Sequence, residues 1–247
     1  MTGAARLVLA AQEVVMPASI HIADVPVRRV PGLLARRLKP ANTPGLRSAG
    51  VGLASPLGPA TFPRPSLRRV GLVAFWDDDE AIDHFEQHHP VADALAGGFH
   101  THLRPLRAHG AWPGLDTDVP TGRATESEGP FVVVTLGRMR PSQAWRFFRT
   151  SARAEAALAD ADGLIWATGF GLPPFVATCS LWPDTKSVMA YAYGRQQAAH
   201  REAIAEGERQ AFHRQQAFVR FEPTTMGGSL GGTNPLPADA VAAVAPT

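Results

Sequence analysis

The sequence predicts an α+β fold: two ferredoxin-like βαββαβ repeats in one chain, forming an architecture of the dimeric α/β-barrel type. Three observations lead there. The chain repeats itself. Each repeat reads β-α-β-β-α-β, the ferredoxin-like unit. A sheet covered by helices on one face must bury its other face, and two such sheets bury theirs together.

The repeat is legible residue by residue. Segment 73–85 matches segment 179–191: Trp76 aligns with Trp182, Asp78 with Asp184, Ile82 with Val188 and Phe85 with Tyr191. Upstream, Gly50-Val51-Gly52-Leu53 aligns with Gly169-Phe170-Gly171-Leu172. Downstream, Phe99-His100 and Leu106-Arg107 align with Phe212-His213 and Val219-Arg220. The matches keep their order, and their spacings drift only by loop-sized amounts. The expected organisation is an N-terminal extension over 1–16, a first half over 17–110, a linker over 111–129, a second half over 130–222 and a flexible tail over 223–247.

In the first half, strands are expected over 19–25, 46–53, 70–75 and 99–106, with helices over 30–38 and 79–85. In the second half, the β-branched run 131–136 follows Gly129-Pro130 and reads as a strand. Pro141-Ser142 opens a helix, with Trp145, Phe148 and Ala152 at 3–4 spacing. Strands over 163–171 and 176–182 are joined through Pro173-Pro174. Asp184 caps a helix from Lys186 onward, with Val188, Tyr191 and Ala192 as its buried stripe. A further helix over 196–207 and a last strand over 212–221 complete the half.

Composition narrows the function. The 247 residues are 45% apolar and 19% charged, which excludes global disorder. The net charge is +2 and the arginines are scattered, so no basic stripe for nucleic acid exists. No apolar run reaches the roughly 18 residues of a spanning helix, so no integral membrane segment is expected. Leu7-Val8-Leu9-Ala10-Ala11 lacks a full signal-peptide core and cleavage site. The single Cys179 excludes an internal disulfide and any cysteine-based zinc or iron–sulfur site. It is compatible with a cytoplasmic location, the one expected. No Gly-x-Ser-x-Gly elbow and no dinucleotide-binding loop is found.

The candidate residues divide by chemistry. His100 and His102 share a strand face and could share a metal, yet no carboxylate follows at ligand spacing, so core or strand-edge roles are expected. His88-His89-Pro90 reads as a helix C-terminus. Trp76 and Trp182 are placed symmetrically, which points to packing. Trp145, Phe148, Trp166 and Phe170 line either an apolar pocket or an ordinary core. Arg146, Arg149 and Arg220 are surface charges or partners for carboxylates. Cys179 lies inside a strand and is expected to be inert.

Several motifs together resemble the spheroidene monooxygenase family of carotenoid biosynthesis. They are Arg140-Pro141 with Arg146-Phe147-Phe148-Arg149, Gly169-Phe170-Gly171 followed by Pro173, and Thr178-Cys179-Ser180-Leu181-Trp182-Pro183-Asp184. Ala199-His200-Arg201-Glu202-Ala203-Ile204 and Phe218-Val219-Arg220-Phe221 belong to the same set. So do Phe62-Pro63-Arg64-Pro65, Phe75-Trp76-Asp77 and Gly110-Ala111-Trp112-Pro113-Gly114 in the first half.

The resemblance implies a haem-dependent monooxygenase: haem b as cofactor, a small hydrophobic substrate and an electron donor. It implies His200 as the axial ligand of the iron, from a helix face. Trp166, Phe148, Arg149 and Trp182 are then the haem contacts, and His213 is the catalytic distal-pocket group, standing where the family has an aromatic residue. The chain departs from the family at Leu172, where an acidic residue is usual, and at Gln215-Gln216, where a Glu pair is usual. Those departures widen the expected substrate to apolar or small specialised metabolites. The alternatives are a haem-dependent dehydratase or peroxide-using enzyme on nitrogen–oxygen substrates, a cofactor-free monooxygenase or ligand-binding barrel, and a haem carrier or sensor. Uncovered sheet edges would favour a homo-oligomer.

Overall fold

The computed structural model describes residues 16–36, 38–57, 64–116, 118–122, 127–193 and 211–230. Its strands are β1 (Ala18–Asp24), β2 (Leu46–Ser55), β3 (Arg69–Trp76), β4 (Phe99–Gly110), β5 (Phe131–Met139), β6 (Trp166–Leu172), β7 (Phe175–Trp182) and β8 (His213–Gly227). Its helices are α1 (Val30–Ala35), α2 (Asp79–His88), α3 (Pro90–Leu95), α4 (Ala144–Ala159) and α5 (Thr185–Tyr193).

The strands close into one antiparallel barrel in the order β1-β3-β2-β6-β7-β5-β8-β4. Each half contributes its second, third, first and fourth strands in that order, which is the expected ferredoxin-like pattern. The seams are β2 against β6 and β4 against β8. The sheet edges that would favour a second copy are therefore paired within the chain.

Alternation explains the two-sided burial. Along β3, Val73 and Phe75 enter the barrel, while Val70, Leu72, Ala74 and Trp76 meet the helices. Along β5, Val132, Val134 and Leu136 point inward and Phe131 outward. Strands buried on both faces read as unbroken apolar runs, as these do. The interior is filled across the halves: Phe175 lies over Gly50, Phe170 lies against Gly71, and Gly52 meets the backbone of Gly171. No side chain fits at Gly52 beside that backbone. Trp112 and Val119, from the segment between the halves, are buried in the same cluster.

The tryptophan repeat holds. Trp76 and Trp182 are wholly buried, and each Nε1 donates at 2.9 Å to a serine, Ser19 and Ser180 respectively. Each ring meets the aromatic of the following helix, Phe85 at 5.0 Å and Tyr191 at 5.3 Å. Asp78 and Asp184 both cap those helices, accepting from Ala81 N–H at 2.8 Å and Ser187 N–H at 2.7 Å.

The other two sequence matches slip. Counted from the tryptophans, Gly71 corresponds to Ala177. Gly52 pairs with Gly71, and Phe170 pairs with Ala177, so Gly52 corresponds to Phe170 and not to Gly171. A one-residue slip exchanges the two faces of a strand. His21 faces His100, and its equivalent Thr135 faces Phe218, so the partner of His100 is Phe218 rather than His213. By the same register His102 corresponds to Arg220.

Some elements differ from expectation. The first helix stops at Ala35, short of 38. His89 does not end the helical region: its Nδ1 accepts from Val91 N–H at 3.1 Å and caps α3, with Pro90 at the first helical position. β8 runs to Gly227, because Met226 and Gly227 pair with Thr101 and His100. The start of the expected tail is therefore strand. The helix expected over 196–207 lies outside the described residues. Among the described residues, no helix is long and apolar enough to cross a membrane.

Candidate functional site

The described residues cover the outer faces of the two half-sheets unequally. On the first half, α1, α2 and α3 seal a core that includes Leu33, Leu72, Trp76, Ile82, Phe85 and Leu95. On the second half, the buried outer core is Phe131, Leu158, Trp182 and Val188. The centre of that face is half-buried: Thr135, Thr178, Gly169 and Phe218 lie in one row across four strands. Gly137, Val176 and Gly171 lie in the next row.

The register shows what has been removed. Where the first half carries Val51, Leu53, Leu72 and His21, the second half carries Gly169, Gly171, Thr178 and Thr135. Small side chains thus line a shallow face on the middle of a sheet. Such a face takes a flat group without moving backbone.

His213 stands at one end of this face, where β8 begins. A Cβ at Gly137 would lie 2.6 Å from its Cδ2 and Nε2, so only glycine admits the ring. Phe147 of α4 covers it edge-on at 4.8 Å, and Phe212 packs on Phe147 at 5.9 Å. The Arg146 guanidinium lies over Phe212 at 5.4 Å and donates to Gln143 Oε1 at 2.6 Å. His213 Nδ1 is 3.3 Å from Gln216 Oε1, while Nε2 is buried with no hydrogen-bond partner among the described residues. Burial pushes its pKa below the usual histidine value, outweighing the opposing bond to Gln216. At pH 7 the site therefore presents a neutral imidazole with one uncommitted nitrogen. Such a nitrogen can accept a proton.

The other sequence candidates scatter. Phe148 is half-buried on α4, 5.3 Å from Phe147, and so borders the His213 group. Arg149 is exposed on the same helix. Trp182 is locked into the outer core beside Tyr191. Trp166 lies across the sheet, against the barrel interior, 6.1 Å from Phe99. Phe170 belongs to that interior too, whereas Trp145 is mostly exposed. Arg220 is buried, with its guanidinium over Phe131 at 5.4 Å. Cys179 is buried in the barrel, and burial pushes its thiol up to about 12, in keeping with inertness. His200 lies outside the described residues.

Sequence reasoning missed Gly137, Phe147 and Gln216 around His213, and the row Thr135, Thr178, Gly169. The signal for the row is the change from His21, Leu72 and Val51 to Thr135, Thr178 and Gly169 between repeats, which only the correct register exposes.

No protein-family model matches the chain. Over 206 residues it is 31% identical to the spheroidene monooxygenase of Rubrivivax gelatinosus, an alignment covering 79% of this chain and 78% of that protein. It is 26% identical over 190 residues to the spheroidene monooxygenase of Rhodobacter capsulatus, covering 72% and 76%. The solved structure of an aldoxime dehydratase superposes with a TM-score of 0.51 at 8% identity, covering 87% of this chain and 83% of that one. That likeness speaks to the fold alone and agrees with the closed barrel of two ferredoxin-like halves. Identity of this level along nearly four-fifths of both chains, on top of the shared motifs, places the chain in the spheroidene monooxygenase family.

Proposed function

We propose that the chain is a haem-dependent oxygenase that seats haem b on the outer face of its second half and oxidises a small apolar substrate. Homology to the two spheroidene monooxygenases supports the oxygenase class. The observation that carries the haem reading is the half-buried row of small residues ending at His213, whose Nε2 is buried without a partner. Haem, when bound, supplies iron for activating dioxygen or peroxide, with electrons from a donor.

The chain's own residues have separate tasks. Gly169 and Gly171 keep the sheet surface low enough for a flat macrocycle, and Gly137 seats the His213 ring at its end. Thr135, Thr178 and Phe218 form the floor. Phe147 and Phe148 exclude water from one side, which strengthens polar interactions within. Arg146 and Arg149, on α4, are the cations for the propionates. His200 would hold the haem iron, as the family resemblance implies. His213, kept neutral by burial, accepts a proton at Nε2 during turnover and returns it.

The test is the visible spectrum of the full chain with added haem. Wild type gives a Soret band, His200→Ala alters its position or intensity, and His213→Ala retains haem while lowering turnover. Wild type without a Soret shift would overturn the haem reading. A band insensitive to His200→Ala would move the ligand elsewhere.

A further inference from the structure

A second group of chemistry-bearing side chains lies on the opposite half, under α2. Asp83 and Glu86 are three residues apart on that helix and so share a face. His102 reaches the same place from β4, and His21 from β1. Glu86 Oε1 is 3.0 Å from His102 Nε2 and 3.6 Å from His21 Nε2. One ligand atom from each of Asp83, Glu86 and His102 falls within 4.8 Å of the others. We infer that Asp83, Glu86 and His102, with His21 beside them, form a binding site for a divalent cation of the zinc class.

The geometry fits that class. Tetrahedral zinc with bonds of about 2.0–2.1 Å holds its ligand atoms roughly 3.3 Å apart. The two separations around Glu86 bracket this value, and Asp83 completes the group within the wider limit of 4.8 Å. Imidazole and carboxylate ligands suit zinc, and cobalt and nickel follow in the same series. Asp83 is exposed, which gives the ion an entry path, while His21 and His102 are buried. Sequence spacing hid the site, since the carboxylates come from a helix upstream of His102 rather than from its own strand.

The surroundings favour a cation. His21 Nε2 also lies 3.2 Å from Ser19 Oγ, so this ring stands beside the three ligands. For Glu86, burial opposes the charged form, but the hydrogen bond from His102 and the charges of His102, His21 and His100 hold its carboxyl below the usual range. His102 is disfavoured as a cation by burial, yet its bond to Glu86 and the charges of Glu86, Asp83 and Asp79 raise its pKa above the usual value. A bound cation would take the place of the hydrogen bond between His102 and Glu86. The ion would fasten α2 to β1 and β4 and stabilise the first half by mass action.

The experiment is a titration of the untagged full chain with Co²⁺, followed by its visible absorption, with Zn²⁺ as competitor. Wild type shows one saturable site with tetrahedral cobalt bands, displaced by Zn²⁺. His102→Ala and Glu86→Gln weaken it by at least about tenfold, and His213→Ala leaves it unchanged. Zn²⁺ raises the melting temperature of wild type but not of Glu86→Gln, a variant that keeps the side chain's size. No saturable Co²⁺ binding in wild type, or equal binding in Glu86→Gln, would overturn the inference. Neither result bears on haem, which the second half is proposed to hold.

Discussion

The two halves share a strand order and distribute bulk in opposite ways. In the first half, Gly50, Gly52 and Gly71 face the barrel interior, and Val51, Leu53, Leu72 and Trp76 face the helices. In the second half, Trp166, Phe170 and Phe175 face the interior, and Gly169, Gly171, Thr135 and Thr178 face outward. The interior holds a fixed volume at close packing. Glycines from one half make room for aromatics from the other, and the half that sends its aromatics inward is left with a thin outer face. The two halves thus share one strand order, and the exchange of bulk across the barrel leaves small side chains on the outer face of the second.

The largest test of this exchange is at the seam. Gly52→Val sets a branched side chain against the Gly171 backbone and is expected to cost more than about 4 kcal/mol, or to prevent folding. Chemical denaturation and soluble yield read this out. A variant as stable as wild type would break the argument that the halves are packed glycine to backbone. Next come the paired tryptophans. Trp76→Ala is expected to lose about 3–5 kcal/mol, and Trp182→Ala the lower end of that range, because its cluster is thinner. Equal losses would mean that the second face is as well packed as the first.

Acid stability separates the halves through His21. Its folded pKa of about 4 lies below the ordinary 6.5, so the unfolded chain takes up a proton that the folded chain refuses. The contribution of His21 is full above about pH 6.5 and is lost as the pH drops toward 4, by up to roughly 3 kcal/mol. His21→Gln should flatten that slope in urea melts across the range; an unchanged slope would assign it to other groups. The smallest effect is expected at His213. His213→Phe removes a buried unpartnered nitrogen and should change stability by within about 1 kcal/mol, with a gain more natural than a loss. A large loss would make His213 a structural residue and remove it from the functional account.

Much of the fold was legible because the tryptophan repeat carries its own packing: an indole, a serine acceptor, a capping aspartate and an aromatic from the next helix. The glycine match was legible but misread by one residue. Gly-x-Gly recurs in both halves for different reasons, inward beside Phe175 at Gly50 and outward at Gly169 and Gly171. The histidine match failed because it is five residues out: the equivalent of His100 is Phe218, and β8 begins ahead of that point, at His213. α3 was hidden behind His89-Pro90, a pair that reads as a helix end and serves as a helix start. At the candidate site, His213 stood out as a departure from the family, while Gly137 and Gln216 have meaning only once β5 and β8 are paired. Glu86 was invisible as a partner of His102 because the contact crosses from helix to strand.

The most direct measurement is a haem titration of a variant that gives the second face the side chains of the first: Gly169→Val with Thr178→Leu, the residues found at Val51 and Leu72. The account predicts a folded protein, with wild-type circular dichroism, whose haem affinity by Soret titration falls at least about tenfold, or 1.4 kcal/mol. Unchanged haem affinity in that folded variant would contradict the claim that the second outer face is where this protein binds its cofactor.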